Sequence, residues 1–437
     1  MLKTIRDKIY NSTTTSALGG IISVLFIRVL GILFLFGITI YLTNFYDPAL
    51  VGAYEFTRSA LFLIGGFAIL GTDQSILFFS GRFLKRNQVK TFFRIYLKMV
   101  LLILLISGVI LIGTLAVPQP VFDSLFNDST SGTLLVKTSF CVFFYAITLL
   151  NTELYRGFAL QKKSELYRGL YKQLPFAVGL FVLYMFEEKT YLVDVFLASY
   201  LVLAIITSLE VLKIYSRNTT SSNSPSKPVS FKTILKSTMP IAMSALGFYL
   251  LISIDIFFLK IYTDFKTLAY YGTAVKIIFL ISTIVSTISS YIAVEIAELY
   301  VKNREELQAL MRKGVRIISL LSVLLSVFLY FFSELILNIF GAEYTEANES
   351  LRILIIGHFL STLCGITAVY LNMTKKQITL QYIIAFTVVF NGILNWVLIP
   401  KMGMNGAAIA SALSVVMWNV IAGIIIYRKD KINLFIH

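Results

Sequence analysis

Twelve times along this chain a run of about twenty or more mostly apolar residues is bounded by polar clusters, and no other feature constrains the fold as strongly. The runs cover roughly 17–43, 51–80, 92–117, 133–159, 166–186, 190–215, 232–262, 267–298, 309–339, 347–372, 377–399 and 404–428. A hydrocarbon core takes a helix of about 20 residues to cross, because only a helix or a closed barrel satisfies its own backbone hydrogen bonds there. The pattern therefore predicts an all-α integral membrane protein with twelve transmembrane helices. Several runs exceed the minimum, which predicts tilt or extension beyond the bilayer. The first is far longer than the apolar core of about 7 to 15 residues in a cleavable signal peptide, and reads as a retained signal anchor.

Composition agrees. Of 437 residues 57% are apolar and 14% charged, whereas a soluble domain is about 25% charged. A soluble enzyme with one apolar anchor is excluded. The formal charge of +15 would suit a nucleic-acid partner only if the basic residues gathered on one folded face. They do not: most fall in alternate loops. One side carries Lys3, Arg6 and Lys8, then Arg82, Lys85, Arg86 and Lys90, then Arg156, Lys162, Lys163 and Arg168. The same side carries Lys213, Arg217 and Lys227, then Lys302, Arg304 and Arg312, then Lys375, Lys376, Arg428 and Lys429. The other side holds only Lys137, Lys189, Lys260, Lys266, Arg352 and Lys401. By the excess of Lys and Arg in cytoplasmic loops, both termini are expected in the cytoplasm, and the charge becomes an orientation signal.

The longest polar stretch, SRNTTSSNSPSKPVS at 216–230, has the Ser, Asn and Pro content of a flexible linker. It predicts an N-lobe at 1–215 with six spans and a C-lobe at 231–437 with six more. Duplication is supported by LVGAYEFTRSALFL from Leu50 and LAYYGTAVKIIFL from Leu268, which place Arg58 and Lys276 at equivalent positions to within one residue.

Three basic residues are left inside the spans: Arg28, Arg58 and Lys276. A charge at the bilayer centre costs roughly 2.5–3.5 kcal/mol on the insertion scale, so each must face protein or water. Two readings follow: an internal ion pair or snorkelling stem, or a cationic wall that attracts an anion such as phosphate or an acidic sugar. On the eighth run Lys276, Thr283, Thr287 and Ser290 share one helical face, with Thr273 close to it. Such hydroxyls either bond back to their own helix or line a water-filled cleft. Asp255 in the seventh run and Asp73 in the second are candidates either for pairing with a base or for binding a coupling proton or sodium ion.

Much is absent. Cys141 and Cys364 lie in apolar runs and read as buried residues. His358 and His437 are the only imidazoles, which excludes a multi-histidine metal site, and His358 reads as a helix-packing residue. No phosphate-cradling Gly-x-x-x-x-Gly-Lys-Ser/Thr loop occurs. No cofactor is expected beyond a coupling H+ or Na+.

Three stretches carry a family resemblance: FGAEYTEANESLRIL at 340–354, NGILNWVLIPKMGMNGAAIASALS at 391–414, and the 50–79 stretch containing GGFAILGTDQSILFF. They resemble the polysaccharide-flippase (Wzx-type) branch of the multidrug/oligosaccharidyl-lipid/polysaccharide (MOP) exporter superfamily. The resemblance implies two six-helix lobes around a central cleft lined by helices one, two, seven and eight, on which Arg28, Arg58, Asp255 and Lys276 fall. It further implies that a lipid-linked oligosaccharide is moved across a bacterial inner membrane without catalysis, with membrane lipids and other polysaccharide-assembly proteins as partners. A drug or metabolite cation antiporter of the same superfamily is the alternative, and would favour acids over bases in the cleft. A glycan polymerase or ligase, a membrane enzyme, would need a large outer loop with Arg or His, and the loop near 117–132 has neither.

Overall fold

The computed structural model of the chain describes residues 14–86, 88–219 and 229–434. Among them the regular elements are helices, with no strand. Nine are long and apolar enough to cross a membrane, and eleven crossings result when each of two bent pairs counts as one. The expected fifth span, 166–186, holds a helix of only 16 residues, Leu170–Met185, preceded by the short Gln161–Arg168. Among the described residues, length and apolarity thus support nine to eleven of the twelve expected crossings.

The first helix, α1, is Thr14–Phe45. The second apolar run, expected to be continuous, is instead two helices, α2 (Pro48–Ile69) and α3 (Thr72–Phe83), bent by 42°. The break has a local cause. Leu70 and Gly71 both take positive φ, at 44° and 68°, and a Cβ at Gly71 would meet the backbone of Ala242. Asp73 accordingly sits in the first turn of α3 and not mid-helix.

α4 (Val89–Ala116), α5 (Gln119–Phe126), α6 (Thr130–Gly157), α7 (Gln161–Arg168), α8 (Leu170–Met185) and α9 (Leu192–Thr219) complete the first half. α9 takes in residues 216–219 of the expected linker, while 220–228 lie outside the described residues, as do Lys3, Arg6, Lys8 and Lys227. The second half opens with α10 (Phe231–Tyr262), α11 (Phe265–Lys302) and α12 (Arg304–Phe331). It ends with α13 (Ser333–Ile339), α14 (Asn348–Thr362), α15 (Thr367–Met373), α16 (Gln377–Met402) and α17 (Met404–Asp430).

The two segments of similar sequence are capped alike. Asp47 accepts a hydrogen bond from the Ala49 amide at 2.7 Å at the start of α2, and Asp264 accepts from the Thr267 amide at 2.9 Å at the start of α11. Each capped helix then carries its in-span cation, Arg58 or Lys276.

Two compact units emerge. One comprises the described residues up to Thr39, Thr72–Ile106 and Cys141–Leu235; the other comprises Ile40–Gly71, Ser107–Phe140 and the chain from Lys236 on. The second unit thus mixes both halves of the sequence. Its apolar core includes Ile296, Leu307, Met311, Ile318, Leu371 and Leu380, all fully buried. Outward-facing positions on α4 such as Leu105, Val109 and Ile112 are exposed apolar surface, as expected of a helix against lipid.

Candidate functional site

In the second unit, Glu55 of α2 has a fully buried side chain (0% exposed). The Arg58 guanidinium, one turn along, donates to Oε2 at 3.0 Å from Nε and lies 2.8 Å away through Nη2. The Lys276 ammonium of α11 is ion-paired with Oε1 and lies 5.4 Å from the ring centroid of Tyr54. One buried carboxylate therefore carries two cations. Breaking such a pair by removing one partner costs about 3–5 kcal/mol, because the survivor is left as an uncompensated buried charge. α2 and α11 approach closely enough for this because a Cβ at Gly52 would run into the backbone of Phe265, and one at Gly272 would sit 3.0 Å from the Cγ of Glu55. Arg58 is 35% exposed on its side chain and Lys276 only 5%.

Beside this triad, still within the second unit, lies a second fastening. Phe56 packs edge-on against Phe126 and Phe257, each at 5.5 Å, and Phe265 at 6.1 Å. Lys260, near the end of α10, is buried, donates to the Phe126 carbonyl at 3.2 Å and pairs with Asp128. The Asn127 amide donates to the Ile261 carbonyl at 3.3 Å. Asp128 also accepts from the Ser131 amide at 2.6 Å and the Ser131 hydroxyl at 2.8 Å. Burial pushes its carboxyl upward, but the hydrogen bonds from Lys260 and Ser131 outweigh this and hold it below the usual carboxylate value. Lys260, which the sequence places among loop cations, is thus a buried structural residue.

Arg28 lies in the other unit, where Nη2 donates to both carboxylate oxygens of Glu165 on α7 at 3.3 Å, with 28% of its side chain exposed. The structure therefore brings Arg58 and Lys276 together on Glu55 and gives Arg28 a carboxylate of its own. All three in-span cations are ion-paired. The hydroxyl stripe bonds largely to its own helix: Thr273 to Ala269 at 2.9 Å, Thr283 to Phe279 at 2.8 Å and Ser290 to Ser286 at 2.6 Å, each to a carbonyl. Thr273 is buried, Thr283 and Thr287 partly so, and Ser290 exposed.

Asp255 sits in a polar cluster that draws on three helices. The Asn395 amide donates to Oδ1 at 2.7 Å, the Tyr271 hydroxyl donates to Oδ2 at 3.0 Å, and Asn395 also donates to Asn391 Oδ1 at 3.0 Å. Asn391 and Asn395 are buried, and the Asn395 Oδ1 and Asn391 Nδ2 atoms find no hydrogen-bond partner among the described residues. Carboxylate, amide and phenol oxygens form a hard-oxygen donor set suited to a small cation. No group of three or more His, Cys, Asp or Glu able to hold a metal occurs among the described residues. Asp73 is buried in the first unit, with one oxygen accepting from Gln74 at 3.1 Å and the other without a donor there. His358 is a packing residue, 3.5 Å from the Ser282 hydroxyl.

Glu55, Asn391 and Asn395 went unnoticed in the sequence, yet each leaves a signal. Glu55 precedes Arg58 by three residues, and the two asparagines are four apart on one face of a membrane helix.

Among the described residues, helices with nine to eleven apolar crossings and no strand define a multi-pass membrane protein. Solved structures agree on the fold. The lipid II flippase MurJ, in an inward closed conformation, superposes with a TM-score of 0.69 at 14% identity, over 93% of this chain and 86% of that one. A multidrug resistance MATE transporter in an inward-facing conformation gives 0.67 at 17% identity, over 92% and 96%. A MATE multidrug transporter in complex with R6G gives 0.66 at 13%, over 98% of each chain. In sequence, residues 240–397 match the MatE family, and residues 17–294 match the family described as polysaccharide biosynthesis protein. No curated protein matches the sequence. The chain belongs to the polysaccharide biosynthesis protein family, within the MOP exporter superfamily.

Proposed function

We infer that the protein is a flippase that moves a lipid-linked oligosaccharide, carried on undecaprenyl pyrophosphate, from the cytoplasmic to the outer leaflet of a bacterial inner membrane. Its product feeds cell-surface polysaccharide such as O-antigen. The observation that carries this reading is the pair of in-span cations, Arg58 and Lys276, held beside each other on one carboxylate. Two neighbouring cations suit a diphosphate headgroup and are the reverse of what an exporter of soluble cations needs. Arg28 is the third cation of this reading, and Thr273, Thr283, Thr287 and Ser290 line the path of the glycan.

Transport proceeds by alternating access, without a covalent step. Residues 1–215 and 231–437 act as the two lobes, both termini are cytoplasmic, and the lipid tail stays in the bilayer while the headgroup crosses. Headgroup affinity must be similar in the two end states, since a ligand that favours one state strongly traps it. Asp255, with Asn391, Asn395 and Tyr271, is the coupling site for Na+ or H+, with Asp73 second.

The test is genetic. A chromosomal deletion should abolish surface glycan, the wild-type gene should restore it, and Lys276→Ala and Arg28→Ala, at equal membrane abundance, should not. Full restoration by both variants sinks the cationic reading.

A further inference from the structure

We propose that Glu55 is a built-in counter-anion that competes with the substrate's headgroup for Arg58 and Lys276, so that headgroup arrival and release of the α2–α11 fastening are one event. This rests on the reading that the cargo is a diphosphate-linked lipid.

The triad holds two cations on one carboxylate within a span. A diphosphate carries more negative charge than a carboxylate and bonds bidentately to a guanidinium. It is the stronger competitor for both cations once it reaches them. Arg58, about a third exposed, is where it can arrive; Lys276, almost wholly buried, is where it must go to neutralise the second cation.

Glu55 cannot give up its cations and stay where it is. A carboxylate left buried and unpaired is expensive, so it must reach water. Gly272 and the Tyr54 ring confine the triad, and Phe56, the next residue, sits in the aromatic cluster with Phe126, Phe257 and Phe265. Solvating Glu55 therefore requires α2 to part from α11. A ligand shifts a conformational equilibrium only through differential affinity. Glu55 supplies that difference: with its carboxylate on the cations the fastened state binds the headgroup weakly, and with the carboxylate displaced the parted state binds it well. Lys276 and Glu55 come from opposite halves of the sequence but lie in one compact unit, so the exchange acts on the α2–α11 contact within it.

The experiment uses the full-length protein in detergent, with inorganic pyrophosphate as the probe. Glu55→Gln should tighten pyrophosphate binding by about tenfold, the order of one charge-assisted hydrogen bond, whereas Glu55→Asp, which keeps the charge, should stay near wild type. A second readout is maleimide labelling of Ala274→Cys, at a fully buried position on α11. Pyrophosphate should accelerate labelling in the otherwise wild-type chain, and Glu55→Gln should accelerate it without pyrophosphate. Affinities of wild type and Glu55→Gln within twofold of each other, or labelling indifferent to pyrophosphate, overturn the exchange. The labelling arm decides alone should Glu55→Gln fail to fold. Surface-glycan complementation separates the two ideas. Glycan restored by the wild-type gene with no tightening in Glu55→Gln defeats the exchange and leaves the flippase reading; tightening in Glu55→Gln when the wild-type gene restores no glycan does the opposite.

Discussion

The same motif occurs twice, and the two copies differ in what they join. In the second unit Glu55 pairs with Arg58, three residues on, and with the distant Lys276. In the first unit Glu153 pairs with Arg156, three residues on at 2.8 Å, and with the more distant Arg168. Each is a nearly inaccessible carboxylate bridging two cations. The partners of Glu153 both come from the first half of the chain, α6 and the end of α7, and both arginines are more than a third exposed. Glu55 instead joins α2 to α11, one helix from each half, and buries its second cation. An ion pair between neighbouring helices of one half can stay closed throughout a transport cycle, whereas the proposed exchange opens the pair that joins α2 to α11. Under the proposed exchange, similar chemistry serves as a staple in one place and as a latch in the other.

The sharpest way to break this comparison is to neutralise each carboxylate in turn. Glu153→Gln should lower the unfolding temperature in detergent, by an amount worth about 1–3 kcal/mol for cations left unpaired, and leave pyrophosphate affinity unchanged. Equal tightening of pyrophosphate by Glu153→Gln and Glu55→Gln erases the distinction. A smaller, selective effect is expected at Asp255. Asp255→Asn keeps the size but loses the charge and one of the two acceptor oxygens, so flipping should lose its dependence on an imposed Na+ or H+ gradient while pyrophosphate still binds. A variant still fully driven by the gradient removes Asp255 from the coupling role.

The smallest effect concerns the Lys260–Asp128 pair. Because the folded-state value of the Asp128 carboxyl is depressed, its contribution is fully present above the ordinary carboxylate value, about 3.9, and is lost as pH falls through the lower folded value. The gap in unfolding temperature between wild type and Asp128→Asn should be constant from about pH 8 to pH 5 and shrink only below about pH 4. The gap itself should correspond to about 1 kcal/mol, since Asp128 is partly exposed and solvent screens the pair. A gap that closes near neutral pH contradicts this assignment.

The membrane class and the helical layout were legible because apolar runs of spanning length have few other solutions. The bend at Gly71 was not: Leu70 and Gly71 lie within the second apolar run, and the backbone of Ala242, distant in sequence, leaves room only for a glycine where the chain turns to positive φ. Arg58 and Lys276 stood out because charge within an apolar run is costly wherever it sits. Their shared partner did not, because a single glutamate near the start of a helix reads equally well as surface. Asn391 and Asn395 carry no charge at all, and only the fold brings them to Asp255. Arg28 shows the limit from the other side: its cost was plain, but its resolution on Glu165, 137 residues away, is a tertiary fact.

The central claim, that the cations on Glu55 carry a lipid-linked anionic headgroup across the membrane, is tested most directly in proteoliposomes holding the purified protein and an undecaprenyl-pyrophosphate-linked glycan. Glycan exposed on the outer leaflet is read over time with an impermeant lectin. Wild type should expose the glycan well above protein-free liposomes, and Lys276→Ala should fall to the protein-free rate. Equal rates for Lys276→Ala and wild type, at equal reconstituted amounts, would contradict the account.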